Sequence, residues 1–114
     1  MSHGGPAMAA LLEAWPDTQA MMCVSDMSAF GAIMECHRRG MTVPDDIVVA
    51  GFGNFEVSMC CTPTITTVSV DAYCIGLRTG APLLTALQER DASAAYEIGR
   101  RVHVAYKVVA RESA

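Results

Sequence analysis

The chain has 114 residues, a formal net charge of −4, 52% hydrophobic and 18% charged residues, eight Met and five Cys. One small domain, or a piece of a larger one, fits that length. The acidic balance excludes a nucleic-acid surface, which needs clustered Lys and Arg to displace counterions, and so apolar a composition leaves side chains over for a partner subunit or a further part of the same chain.

The opening "GGPAMAALLEAWPD" reads as a short helix. Pro6 suits a first turn, where its missing N–H costs nothing, and Pro16 pushes Trp15 out of helical geometry. Gln19 to Val24 then read as a buried strand closed by Ser25-Asp26. A helix over about Met27 to Arg39 follows, with Ser25 or Asp26 as its cap and Gly40 as its left-handed stop. It carries two apolar rows: Met27, Phe30 and Met34 on one, Ala29, Ile33 and Cys36 on the other. One row is enough to pack on a sheet; the second points to cover from a subunit or neighbouring lobe.

"MTVPDD" is a turn, and "IVVAGF" is a β-branched, uncharged strand of the kind that fills parallel sheets. Strand 19–24, helix 27–39 and strand 47–52 make a β-α-β unit, right-handed by the general rule. Ligands of such sheets bind outside the carboxyl ends of the strands. Both strands end in polar or glycine corners, Ser25-Asp26 and Gly53-Asn54, which places the two corners on one rim.

A turn at Pro63 leads into a third strand, Ile65 to Val70, and Asp71 caps a helix through about Arg90. Pro82 inside that helix costs roughly 3 kcal/mol. With Gly76 and Gly80 nearby, a break near Gly80 and a second helical piece opened by Pro82 are expected. After the turn "DASAAY", Val102, Val104, Tyr106 and Val108 alternate on one face of a last strand.

The cysteines at 23, 36, 60, 61 and 74 contain no C-x-x-C pair. Free, mostly buried thiols in a reducing compartment fit them best. The first fifteen residues lack a secretory signal, and no run of about 18 apolar residues is long enough to span a bilayer, so a cytoplasmic location is expected. Cys36-His37 and Cys60-Cys61 are adjacent pairs, poor geometry for a tetrahedral ion, so no metal and no cofactor is expected. Of the histidines, His37 stands at a helix end and His103 on a late strand; Cys60 and Cys61 have no nearby His or local positive charge, no glycine-bracketed serine occurs, and "GFGNF" is no phosphate-cradling loop. No catalytic residue is assigned; the chain reads as a non-enzyme.

In order along the chain, "PDTQAMMCVSDMSAFGAIMECHRRGMTVPDDIVVAGFGNFE", "TPTITTVSVDAYCIGLRTG" and "ARES" resemble the carboxy-terminal part of LacI/GalR-family transcriptional regulators. The run of motifs covers about residues 10 to 113, and the Gly-Phe-Gly corner is most similar to the gluconate-repressor branch. The resemblance implies an α/β fold, a partial doubly wound parallel sheet from a periplasmic-binding-protein-like sensor of two lobes. Residues 1–63 would be part of the carboxy-terminal lobe, 64–95 a crossover segment and helix, and 96–114 a closing strand. The whole would be a fragment of the effector-binding and dimerisation domain.

The resemblance also implies a small-molecule effector, a sugar or a sugar acid such as gluconate. It implies a homodimer or domain-swapped assembly, operator DNA bound only through a helix-turn-helix that has no match here, and no membrane. Position by position, Ser25 takes the place of an effector-contacting Asn, followed by the family Asp at Asp26. Gly53 stands where the family carries an Asp that binds sugar hydroxyls, and glycine offers only backbone and space. Asn54 is a candidate replacement amide. With Phe55, these residues would form half of a cleft. Asp26 has a helix-capping reading beside the ligand-binding one. Phe30 and Met34 on the second apolar row, with Met59 and Cys60, fall where the family makes dimer contacts. Two rivals stand beside this reading: a transport-type solute-binding protein of the same fold, and an assembly fragment that binds no ligand.

Overall fold

The computed structural model describes residues 3–89 and 103–114. Their elements are α1 (Gly4–Ala14), β1 (Ala20–Met22), α2 (Asp26–Arg38), β2 (Val48–Phe52), α3 (Val57–Cys60), β3 (Thr66–Val70), α4 (Ala72–Glu89) and β4 (Tyr106–Val109). The strands form one sheet in the order β1-β2-β3-β4. β1 runs parallel to β2 with Met22 opposite Ala50, and β2 runs parallel to β3 with Phe52 opposite Val68. The α/β class and the parallel β-α-β unit expected from the sequence are both present.

The chain divides into two compact units, one of residues 1–69 with 107–114 and the other of residues 70–106. In the first, the core is built between the α1–α2 layer and one face of the sheet. Met8 and Leu12 of α1, Ala29, Ile33 and Cys36 of α2, Val49 of β2, and Ile47 and Ile65 beside the strands are all buried. Each fully buried Ile or Val contributes about 2 kcal/mol by removal from water. The alternation along β2 follows: Val49 and Gly51 are buried while Val48 and Ala50 are half-buried and Phe52 is exposed. Of the two rows on α2, the Ala29–Ile33–Cys36 row is sealed, and Phe30 and Met34 pack partly buried at its side.

Local signals explain the ends of α2. Ser25 is extended and its side chain accepts the Ser28 N–H at the start, and Gly40 at φ 75 closes the end with its N–H donating to His37 O at 3.0 Å. β1 departs from expectation. It is an edge strand of three residues with Met22 61% exposed, so its apolar composition does not mark burial.

The closing segment is woven into the sheet. Ser113 is fully buried; its Oγ donates to Val49 O at 2.5 Å and accepts the Thr66 N–H at 3.0 Å. Its own N–H donates to Thr64 O, and its carbonyl accepts from Val49 N, both at 3.0 Å. β4 begins only at Tyr106; Val104 lies before it and Val102 lies outside the described residues.

In the second unit, Asp71 Oδ1 accepts the Cys74 N–H at 2.8 Å and so caps α4 as expected. The break expected near Gly80 does not occur: α4 runs unbroken through Pro82 to Glu89. Residues 77–79 and 81–85 are exposed, so the carbonyl that Pro82 cannot pair is open to water. The hydroxyls of Thr79 and Thr85 donate back to Ile75 O and Ala81 O, giving the same stretch further local bonds.

Candidate functional site

Parallel pairing brings the carboxyl ends of β1 and β2 side by side. The Cys23 N–H donates to Ala50 O at 2.8 Å, and after it the chain turns outward at Ser25. Ser25 is half-buried, with Oγ accepting from Ser28 N at 3.3 Å and lying 3.1 Å from Ser28 Oγ. Its hydroxyl therefore caps α2, and the ligand contact expected there would have to share the oxygen with that cap.

Asp26 is fully buried. Its Oδ2 accepts the Phe55 N–H at 2.6 Å and its Oδ1 accepts the Thr67 hydroxyl at 2.5 Å. Gly51 makes room for it: a Cβ there would run into Asp26 Oδ1 and stand 3.0 Å from Asp26 Cα. With both oxygens taken by protein donors and no exposed surface, Asp26 builds the rim by holding the 53–55 corner in place. Helix capping, the other role expected of it, belongs to Ser25.

Gly53 has φ 115, and a Cβ there would lie 2.5 Å from Phe55 Cε2. The left-handed backbone favours glycine, and a side chain at this position would also have to displace the exposed Phe55 ring. Phe55 itself is 54% exposed. Asn54 adopts the left-handed conformation at φ 56, which amides tolerate. Its N–H donates to Thr67 Oγ1 at 3.3 Å and its Oδ1 accepts from Arg111 Nη2 at 2.7 Å.

Arg111 is the residue the sequence reading missed. Its Nη1 donates to Ile65 O at 2.8 Å and to Ser58 Oγ at 3.1 Å, and its backbone N–H donates to Thr66 Oγ1 at 2.8 Å. It therefore joins the closing segment to β3, to α3 and to the corner at Asn54. Its only signal was its place in "ARES", because nothing near it in the chain hints at a partner 57 positions away. The short helix α3 also had no sequence signal. It is held from below by Ser58, which is buried and donates through both its N–H and its hydroxyl to Phe55 O.

Ser25, Asp26, Gly53, Asn54 and Phe55 are thus brought together. Of the residues expected at a subunit contact, Phe30 and Met34 are half-buried against the core, while Met59 is 56% exposed and Cys60 is exposed. α2 and α3, which carry them, pack against each other. Burial, with Cys36 nearby, pushes the Cys23 thiol up to about 11, and burial also raises Cys36 and Cys61. Among the described residues there is no group of His, Cys, Asp or Glu placed to hold a metal ion, and no helix is long and apolar enough to cross a membrane.

A family model of the periplasmic binding protein-like domain matches residues 2–114. CytR, a transcriptional repressor of Escherichia coli K12, is 35% identical over 85 residues, 75% of this chain and 25% of its own. The chain belongs to the periplasmic binding protein-like domain of the LacI/GalR family. GntR, a transcriptional regulator of Pseudomonas aeruginosa, is 30% identical over 96% of this chain and 31% of its own. A LacI family transcriptional regulator from Silicibacter pomeroyi superposes with TM-score 0.73 at 36% identity, covering 96% of this chain and 37% of that one. A complex of the regulator CelR with cellobiose superposes with TM-score 0.75 at 27% identity, covering 97% of this chain and 32% of that one. This LacI/GalR-family chain spans about a quarter to a third of the length of these curated relatives.

Proposed function

We propose that the chain senses a sugar or a sugar acid such as gluconate, as half of the effector site of a transcriptional regulator. Ser25, Gly53, Asn54 and Phe55 form the open rim of that half-site, with Asp26 fixed beneath them. Residues 1–63 belong to one lobe, 64–95 make the crossover segment and helix, and 96–114 carry the strand that closes the lobe, β4. The second half of the cleft, and a helix-turn-helix that binds operator DNA, come from other parts of the regulator. Phe30, Met34, Met59 and Cys60 form the homodimer contact, and the protein works in the cytoplasm.

The observation that carries this reading is the bond from Phe55 N to Asp26 Oδ2 at 2.6 Å. It joins the two corners that follow adjacent parallel strands, the place where ligands of such sheets bind. The likeness to CelR, whose structure holds cellobiose, supports a sugar-type effector. A one-sided rim leaves much of a polyol in water, so weak binding is expected from the chain alone. Calorimetry and melting curves with gluconate, ribose and hexoses test the reading. A rise in melting temperature with one of them supports it; no change with any sugar or sugar acid sinks it.

A further inference from the structure

We infer that Arg111 is a specificity-determining residue: it fixes the side-chain amide of Asn54 so that the rim offers N–H donors, which selects effectors carrying a carboxylate. The inference rests on the sensing reading above and narrows its ligand class.

A guanidinium has donors and no acceptor. Because Arg111 Nη2 stands 2.7 Å from the Asn54 side chain, the amide must turn its oxygen toward the arginine. That choice decides where the NH₂ group goes. No buried side-chain nitrogen or oxygen among the described residues lacks a partner. Asn54 is only half-buried and its Nδ2 donates to none of them, so the NH₂ is open to solvent. The Arg111 guanidinium is itself held by Ile65 O and Ser58 Oγ, so it cannot swing away without breaking bonds to two other residues.

The corner therefore has an uncommon polarity for a sugar site. Gly53 brings no side-chain acceptor, and the oxygens of Asp26 are both engaged below. The side-chain polar groups left at residues 53–55 are a pair of amide donors, beside a guanidinium whose described partners are all neutral oxygens. A hydroxyl can meet such donors as an acceptor, but a carboxylate does so with charge-assisted bonds about twice as strong.

The test is an NMR titration of the full chain with gluconate and with glucitol, which keeps the polyol and lacks the carboxylate. In the parent protein gluconate is expected to bind about tenfold more tightly than glucitol, and to shift the side-chain NH₂ resonances of Asn54. Asn54→Asp keeps the shape, tolerates the same backbone conformation and pairs with Arg111, but replaces the donors by an oxygen. It should erase the tenfold preference without lowering the melting temperature. Arg111→Lys keeps the charge but lacks the fork. It should weaken the preference and change the Asn54 NH₂ resonances before any ligand is added; should it unfold, the Asn54→Asp and resonance measurements decide alone. If gluconate binds while the Asn54 NH₂ stays unmoved, or Asn54→Asp keeps the preference, this inference is overturned and the sensing reading stands. If neither probe nor any other sugar binds, both fall together.

Discussion

Asp26 and Phe55 lie 29 positions apart, yet the carboxylate of one accepts the backbone N–H of the other at 2.6 Å. Through Thr67, the second oxygen reaches β3 as well. One fully buried side chain thus holds three segments of the first unit in register. Removing it takes the acceptor from the part-buried Phe55 N–H and from the hydroxyl proton of buried Thr67, at about 1–3 kcal/mol each. Asp26→Ala is expected to lower unfolding free energy by about 3 kcal/mol in urea melts. Thr67→Val, which removes one donor while keeping shape, should cost less. Equal, near-zero effects from both would show that the buried network does not hold the rim.

Placing a carboxylate at position 53 should fail. Gly53→Asp places a side chain at φ 115 and within 2.5 Å of the Phe55 ring, a strain of about 1–3 kcal/mol. The variant is expected to lose stability and gain no affinity for neutral sugars. Gly53→Asp with Phe55→Ala removes the ring clash and should recover part of the loss. Melting temperatures of the two variants, compared with Phe55→Ala alone, measure how much of the strain comes from the ring.

The β1-α2-β2 unit was legible because each of its boundaries has a local cause. Ser25 caps, Gly40 stops, Pro16 ends α1, and the β-branched run at 47–52 suits a parallel strand. The meeting of the two corners followed from the topology rule. The bond that joins them did not, since a buried Asp reads like a helix cap in one dimension. Arg111 was illegible for a related reason, its partners being distant in sequence. α3 is too short to show periodicity and owes its shape to Ser58. Pro82 misled because a proline penalty counts for less on an exposed helix, where water can take the freed carbonyl.

Stability should fall in alkali by a traceable route. Burial raises the Cys23 thiol from 9.0 to about 11. Between these values the unfolded chain has lost the proton and the folded chain retains it, so the contribution is full below pH 9 and is lost as pH rises toward 11. Cys36 and Cys61 shift in the same direction. Cys23→Ala should flatten the alkaline limb of the melting-temperature curve relative to the parent; an unchanged slope would count against the thiol.

The acid limb has a different origin. The Arg39 guanidinium donating to Glu35 at 2.8 Å holds that carboxyl below its ordinary 4.5. The Thr64 N–H and hydroxyl do the same for Glu112. Both contributions are present above pH 4.5 and are lost as pH falls through the lowered folded-state values. Glu35→Gln and Glu112→Gln are expected to shallow the decline in melting temperature on acidification, each by its own part.

The proposed subunit contact predicts how Cys60 reacts. It is exposed, whereas Cys23 and Cys36 are buried. A thiol reagent should label Cys60 first in dilute protein, and the labelling should slow as concentration rises and the contact forms. Met59→Arg should abolish that slowing by placing a charge in an apolar contact. Labelling that ignores concentration, together with a monomer in light scattering at micromolar protein, would remove the dimer proposal.

Ser113 fills a gap between Val49 and Thr66, and this bears on how the polypeptide is made. Those two amides gain their partners only after synthesis has reached Ser113, 47 positions beyond Thr66. Until then the nascent strands carry bare hydrogen-bonding groups, a condition that invites wrong pairing and chaperone capture. Synthesis speed between the codons of Thr66 and Ser113 should therefore govern the yield of correctly folded protein.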